Sequence, residues 1–288
     1  MANRTQRLLL KLMLLSWLAA VSGCSSLFFY PDNTVYITPD RLELDYQDIY
    51  LDTADGERLH GWWIPATTEA SGTVYFLHGN AQNISSHLLN VAWLPKEGYN
   101  VFMIDYRGYG QSTGAPDIEG ALHDSEIGLR WLVDAKAGES PFFMLGQSLG
   151  GGLSIMLASE WVQREEQPPL AGVILDSAFA GFRDIAREKL DGFWLTWLFQ
   201  APLSWTIPDD YEGIDHIARI SPVPVMITHS VRDGIIPFHH GQDLYDAARE
   251  PKRFLQTDTP HAGTFVIPAY RQAVMAFMED AAGGEHDQ

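Results

Sequence analysis

The stretch Pro141-Phe142-Phe143-Met144-Leu145-Gly146-Gln147-Ser148-Leu149-Gly150-Gly151-Gly152 decides the fold. Its first five residues form an apolar run of the length and kind that a buried strand uses. Leu149 to Glu160 reads as a helix. Ser148 stands at the junction, with a glycine two residues before it and another two after. A sharp strand-to-helix turn forces the serine into a strained backbone conformation, and glycines on either side let neighbouring backbone pass without a Cβ clash. Such a turn lifts Oγ into the open and aims the start of the helix at whatever approaches it. Gly151 and Gly152 extend the small-residue patch and favour close helix–sheet packing.

The pentapeptide Gly146-Gln147-Ser148-Leu149-Gly150 is a G-x-S-x-G elbow, which presents a serine as nucleophile. A serine hydroxyl is a poor nucleophile at neutral pH. It needs a base within hydrogen-bond reach, and the base needs an orienting acid. Two loops downstream offer them. Pro224-Val225-Met226-Ile227-Thr228-His229 reads as a buried strand followed by Ser230-Val231-Arg232-Asp233-Gly234. Asp233 thus lies just past a strand's carboxyl end, where open α/β sheets carry their functional groups. Arg253 to Gln256 reads as a further short strand, and the loop after it bears His261. Asp176 also follows a buried strand, Gly172-Val173-Ile174-Leu175, and competes for the acid role. Asp233 is the preferred acid. Asp176 and Asp105 read as structural residues in turns. Of the ten histidines, His261 alone sits on a late loop after the last strand; His229 ends a strand and could line the site.

Five ordered stretches carry a family resemblance: Phe76-Leu77-His78-Gly79-Asn80-Ala81, Asp105-Tyr106-Arg107-Gly108-Tyr109-Gly110, Gly146 to Gly151, Asp176-Ser177-Ala178-Phe179 and Arg232-Asp233-Gly234-Ile235-Ile236-Pro237. With His261 they span roughly residues 45–280. The chain resembles the α/β-hydrolases, within them the Bem46-like and serine-aminopeptidase-like (S33) serine hydrolases. The resemblance implies Ser148 as nucleophile, His261 as general base and Asp233 as its orienting acid. It also suggests the backbone N–H groups of Asn80 and Leu149 as the oxyanion hole. The chain has His78-Gly79-Asn80-Ala81 where many lipases have HGGG, which leaves Ala81 as an alternative donor. The implied chemistry calls for no metal and no organic cofactor.

The amino terminus carries a second signal. Arg4, Arg7 and Lys11 precede and enter an apolar stretch, Leu8 to Ala20, too short for a comfortable membrane span and suited to a signal-peptide core. Val21-Ser22-Gly23-Cys24 resembles the bacterial lipoprotein lipobox. In that reading residues 1–23 are removed, Cys24 is lipidated, and the mature protein faces the periplasm. Ser25 in place of Asp favours the outer membrane by the same resemblance. Cys24 is the only cysteine, so no intramolecular disulfide forms. The net charge is -18, or about -21 without the three leader cations, which argues against nucleic acid as a partner.

The expected order is a tether over 24–40, a single α/β-hydrolase domain over 41–282 and a disordered tail over 283–288. Arg41 to Leu51 and Arg58 to Trp63 read as an antiparallel hairpin turning at Ala54-Asp55-Gly56. A doubly wound, mostly parallel sheet should follow, its helices including Ser85–Glu97. Residues 179–220 interrupt the strand–helix alternation. Trp194, Trp197 and Leu198 there share one helical face, which suggests a short helical lid over an apolar pocket; an ordinary helix packing on the core and a membrane-facing patch are the alternatives. Together these features point to a hydrolase of ester, thioester or amide bonds in a small or acyl substrate. The alternatives are a short-peptide serine peptidase and a non-catalytic binding lipoprotein on a hydrolase scaffold.

Overall fold

The computed structural model describes residues 29–137, 140–165, 167–191 and 209–283. Eight strands build the central sheet: β1 (Gln47–Asp52), β2 (Arg58–Ile64), β3 (Gly72–Leu77), β4 (Tyr99–Asp105), β5 (Phe142–Gln147), β6 (Leu170–Asp176), β7 (Val225–Ser230) and β8 (Lys252–Thr257). Among the described residues the five longest helices are α1 (Ile118–Leu132), α2 (Leu149–Trp161), α3 (Phe182–Asp191), α4 (Phe238–Ala247) and α5 (Pro268–Gly283).

The strand order is β8-β7-β6-β5-β3-β4-β2-β1. Only β2 runs against its neighbours β1 and β4; the other pairings are parallel. Every residue of β3, β5, β6 and β7 is buried, because helices cover both faces of a parallel sheet. Leu129, Leu153, Leu157 and Phe182 fill one core, beneath α1, α2 and α3. Val274, Phe277 and Met278 of α5 fill the other, with Trp93 and Phe265. This is the doubly wound, mostly parallel architecture with an N-terminal antiparallel hairpin that the sequence predicts.

Three expectations need correction. Residues 85–97 are not one helix. Asn83 caps a single turn, Ile84–His87, by accepting from Ser85 N at 3.0 Å. The chain then takes two 3-10 turns, Leu88–Asn90 and Leu94–Glu97. Pro95 lacks the N–H that helix continuation needs, and Gly98 at φ 85° ends the segment. The hairpin's first strand begins at Gln47 rather than Arg41, because Pro39–Leu42 forms a 3-10 turn closed by Glu43 at φ 59°. The third correction concerns the tether, of which the structure describes residues 29–40. Phe29 is buried and packs edge-on against Tyr109 with ring centroids 6.4 Å apart. Tyr30–Pro31 pairs in parallel with Ala81–Gln82. Cys24, the leader and residues 284–288 lie outside the described residues, as do Trp194, Trp197 and Leu198 of the expected lid.

The tightest helix–sheet approach is at the elbow. A Cβ on Gly150 would stand 1.9 Å from the Leu77 carbonyl oxygen, a backbone atom that cannot yield. Gly150→Ala should therefore cost about 1–3 kcal/mol in urea unfolding, the usual penalty for overpacking. Gly234→Ala, with nothing within 4 Å of its Cβ, should stay within about 0.5 kcal/mol.

Candidate active site

The site stands at the carboxyl ends of β3, β5, β6, β7 and β8. Strand register brings its parts together. Gln147 at the end of β5 pairs with Asp176 at the end of β6, Asp176 with Thr228 in β7, and Ser230 with Thr257 at the end of β8. Ser148 is one residue beyond Gln147, Asp233 three beyond Ser230, and His261 four beyond Thr257. Paired strand ends thus release the three loops side by side.

Ser148 has φ 55° and ψ −113°, outside the regions that L-residues prefer. Its N–H donates to the Asp176 carbonyl at 2.9 Å, and its own carbonyl accepts from Gly151 N at 3.0 Å. These bonds hold the strained turn. A Cβ on Gly146 would sit 2.3 Å from the Gly150 carbonyl oxygen, so this glycine is needed for the turn to close. Leu149 opens α2, and its N–H is one of the helix's unpaired first-turn donors.

Asp233 and His261 are joined directly. His261 Nδ1 lies 2.7 Å from Asp233 Oδ2, and the aspartate side chain is fully buried. The N–H groups of Ile235 and Ile236 donate to Asp233 Oδ1 at 2.9 and 2.8 Å. Burial works to raise the Asp233 pKa, but the His261 bond and these two N–H donors outweigh it and hold the carboxylate below its usual range. His261 Nδ1 therefore donates, which turns Nε2 into the acceptor. Ser230 Oγ donates to the Thr259 carbonyl and stitches the two loops together.

Asp176 does not reach His261. It is fully buried, and its Oδ1 accepts from the Thr228 and Thr264 hydroxyls at 2.6 Å each. Its Oδ2 accepts from Gln147 Nε2 at 2.9 Å. Gln147, unremarked inside the pentapeptide, links the elbow to the histidine loop. Its Oε1 accepts from Asn90 Nδ2 at 2.7 Å, and its Nε2 lies 3.5 Å from the Ala262 carbonyl. Ala262 N donates to Ser177 Oγ at 3.4 Å, and both residues have positive φ, 57° and 52°. Ser148 and His261 are thus tied through their chain neighbours, Gln147 and Ala262; no hydrogen bond joins the two side chains themselves among the described residues. Positive-φ Ser and Ala leave no sequence signal, so this clamp was not legible beforehand.

Asn80 follows β3 beside the elbow. Its carbonyl accepts from Tyr30 N at 2.9 Å and from the Tyr109 hydroxyl at 2.8 Å, which fixes the loop. His78 is fully buried, stacks on Tyr106 at 4.3 Å and shapes the turn. His87 bridges the same corner, with Nε2 3.0 Å from the Ala81 carbonyl and Nδ1 3.3 Å from Gln147 Oε1. His229 Nε2 lies 3.0 Å from the Ile236 carbonyl and 3.8 Å from Asp233 Oδ2, behind the pair rather than in it.

Glu188, His239 and His240 place three ligand-type atoms within 4.8 Å of one another. His240 Nδ1 accepts from Ala180 N at 3.2 Å. In the neutral ring Nε2 then carries the proton, and it lies 3.2 Å from Glu188 Oε2. The trio is a hydrogen-bonded clasp between α3 and α4, since a metal would need that same nitrogen without its proton. A groove of about 880 Å³ lies at the opposite end of the sheet, lined by Pro168, Pro224, Pro251 and Phe277 among others. It holds none of Ser148, Asp233 and His261.

Comparison with known proteins gives the family and the fold. The serine aminopeptidase S33 family profile matches residues 68–210. The YfhR protein of Escherichia coli K12 is 34% identical over 264 residues, covering 88% of this chain and 87% of its own. The α/β-hydrolase domain-containing protein WAV2 of Arabidopsis thaliana is 32% identical, covering 81% and 80%. The chain belongs to the α/β-hydrolase family. Among solved structures, the Pyrococcus furiosus esterase Pf2001 superposes on this hydrolase with a TM-score of 0.71 at 25% identity, over 88% of this chain and 98% of the esterase. Esterase- and lipase-like relatives support hydrolase activity for the family member described here.

Two outcomes follow from this site in the hydrolase. Burial pushes the pKa values of His78, His87, His229 and His240 down. Below about pH 6.5 the unfolded chain therefore binds more protons at these positions and stability decreases as pH falls, an effect that His60, lowered by burial but raised overall by its bonds to Asp105 and Asp48, offsets only in part. Urea midpoints should drop between pH 7 and pH 5. Gln147→Leu removes the elbow's contact with the Ala262 carbonyl together with its bonds to Asp176 and Asn90. On an ester substrate it should lower kcat about 10–100-fold, as expected for a misplaced catalytic group, with KM nearly unchanged.

Proposed function

We propose that the protein is a serine esterase or thioesterase acting on a small or acyl substrate through Ser148, His261 and Asp233. The observation that carries this reading is the 2.7 Å contact between His261 Nδ1 and a fully buried Asp233 carboxylate. It sets the imidazole tautomer so that Nε2 is free to take a proton. In the proposed cycle His261 Nε2 accepts the Ser148 proton as Oγ attacks the carbonyl carbon. The N–H groups of Leu149 and Asn80 receive the developing oxyanion. Collapse expels the alcohol or thiol, which takes the proton back from His261, and leaves an acyl-enzyme. Water, deprotonated by His261, then attacks the acyl carbon, and His261 returns that proton to Ser148 Oγ as the acid leaves. Asp233 stabilises the imidazolium at each stage and stays ionised.

The Pyrococcus esterase supports ester cleavage, and so does the lysophosphatidylserine lipase ABHD12 of Xenopus tropicalis, 31% identical over 70% of this chain and 53% of its own length. The S33 family profile favours a second reading, release of an amino-terminal residue from a short peptide. The lipobox-like Val21-Ser22-Gly23-Cys24 supports export and membrane anchoring through Cys24.

A fluorophosphonate probe should label the wild type and leave Ser148→Ala unlabelled; labelling of the variant would move the nucleophile elsewhere. Asp233→Asn should cut kcat by about 10³–10⁴-fold while the fold persists, as in other triads. Asp176→Asn should act on stability first, and the reverse pattern would transfer the acid role. Assays with p-nitrophenyl esters against aminoacyl-p-nitroanilides separate esterase from peptidase.

A further inference from the structure

The exposed apolar side chains of this protein are not scattered. Among the described residues nine large apolar side chains are exposed, and eight of them lie around the candidate active site. Leu89 shares its 3-10 turn with Asn90, whose amide holds Gln147. Val231 and Ile235 bracket Asp233. Val266 and Ile267 follow His261, and Val266 is 70% exposed.

The remaining three, Tyr30, Val35 and Tyr36, belong to the N-terminal segment, which is bonded to the loop after β3. Tyr30 N donates to the Asn80 carbonyl at 2.9 Å. Tyr36 N donates to Ser85 Oγ at 2.9 Å, and Asn83 Nδ2 to the Thr34 carbonyl at 2.8 Å. The ninth, Tyr50, sits on edge strand β1 beneath Arg58, whose guanidinium lies 4.4 Å from its ring. Single exposed apolar residues are ordinary; a group of them around a candidate site marks a contact surface.

We propose that this rim rests on a lipid bilayer, so that the Ser148 cleft opens at the membrane interface. The inference rests on the readings of Cys24 as lipidated and Ser148 as nucleophile. The place where the chain joins the body selects the occupant. Phe29 is buried against Tyr109, and Tyr30 is bonded to the Asn80 loop itself, so the chain enters at the rim. Cys24 precedes Phe29 by five residues, a reach of roughly 18 Å when fully extended. A domain of this size is roughly 45 Å across. An anchor on so short a lead cannot turn the far end of the sheet toward the bilayer; it can only draw the rim down.

Charge agrees with the orientation. The protein carries a net charge of -18, which anionic lipid repels. Arg232, exposed between Val231 and Asp233, and Lys189, whose Nζ donates to the Ile235 carbonyl, place cations beside the apolar tips. The tether then supplies affinity and the rim supplies orientation.

The test uses the lipidated chain, purified from membranes and reconstituted in phosphatidylcholine vesicles. p-Nitrophenyl acetate serves as the water-borne substrate, and p-nitrophenyl palmitate dissolved in the same vesicles as the membrane-borne one. Leu89→Asp and Val266→Asp, singly and together, should lower kcat/KM for the palmitate at least tenfold and leave the acetate within twofold. An equal fall on both substrates, or no fall on either, overturns the proposal. A readout independent of catalysis is an environment-sensitive dye on Val266→Cys or on Asp280→Cys at the opposite end, with the wild-type chain as blank. Emission should shift to the blue on reconstitution at residue 266 only; equal spectra at the two positions overturn the proposal. A wild type that cleaves neither ester refutes the esterase reading alone, since the dye measurement still decides the orientation.

Discussion

Asp176 lies at the end of the central strand β6 and gathers four hydrogen bonds. Its carboxylate accepts from Gln147, Thr228 and Thr264, and its carbonyl accepts from Ser148 N. The donors come from β5, from β7, from the segment after His261 and from the elbow. None of this side chain is exposed to water. A donor left unpaired there costs about 1–3 kcal/mol, so each bond constrains the others. The elbow can stay strained and the histidine loop can stay folded back because both are pinned to one buried carboxylate.

Two buried aspartates in one site have separate tasks because their partners differ. Asp176 meets hydroxyls and an amide, neutral donors that gain order and no proton traffic. Asp233 meets an imidazole at 2.7 Å and two backbone N–H groups on its other oxygen. Those N–H donors and the imidazole keep Asp233 ready to stabilise a positive charge on His261. Such a division follows from environment rather than residue type. Beside them His229 contacts the Ile236 carbonyl and backs the Asp233 loop without joining the Asp233–His261 pair.

The parts of this arrangement that depend on short, local patterns were readable in the sequence. Apolar runs of four to six residues ending in loops marked β3, β5, β6 and β7, and the glycines around Ser148 marked the elbow. Asp233 was preferred over Asp176 because of its loop position, and the structure brings Asp233 and not Asp176 to His261. What escaped was long-range. Residues 85–97 read as a helix, yet Pro95 interrupts the backbone bonding and Asn90 turns its amide to Gln147, 57 positions away. Nothing local announces that Tyr30 will bond to the Asn80 loop, so a stretch read as a tether proves to be part of the rim. The Ser177–Ala262 contact joins two residues in left-handed conformations that neither type advertises.

The convergence of Ser148, His261 and the Asn80–Leu149 donor pair on one reacting carbon is best measured by a crystal structure of the phosphonylated protein. The phosphorus should be bonded to Ser148 Oγ, with its terminal oxygen within about 3.1 Å of the N–H groups of Asn80 and Leu149. His261 Nε2 should lie within hydrogen-bond distance of Ser148 Oγ while Nδ1 keeps its contact with Asp233. An adduct on another residue, or an imidazole of His261 turned away from a phosphonylated Ser148, would contradict the assignment.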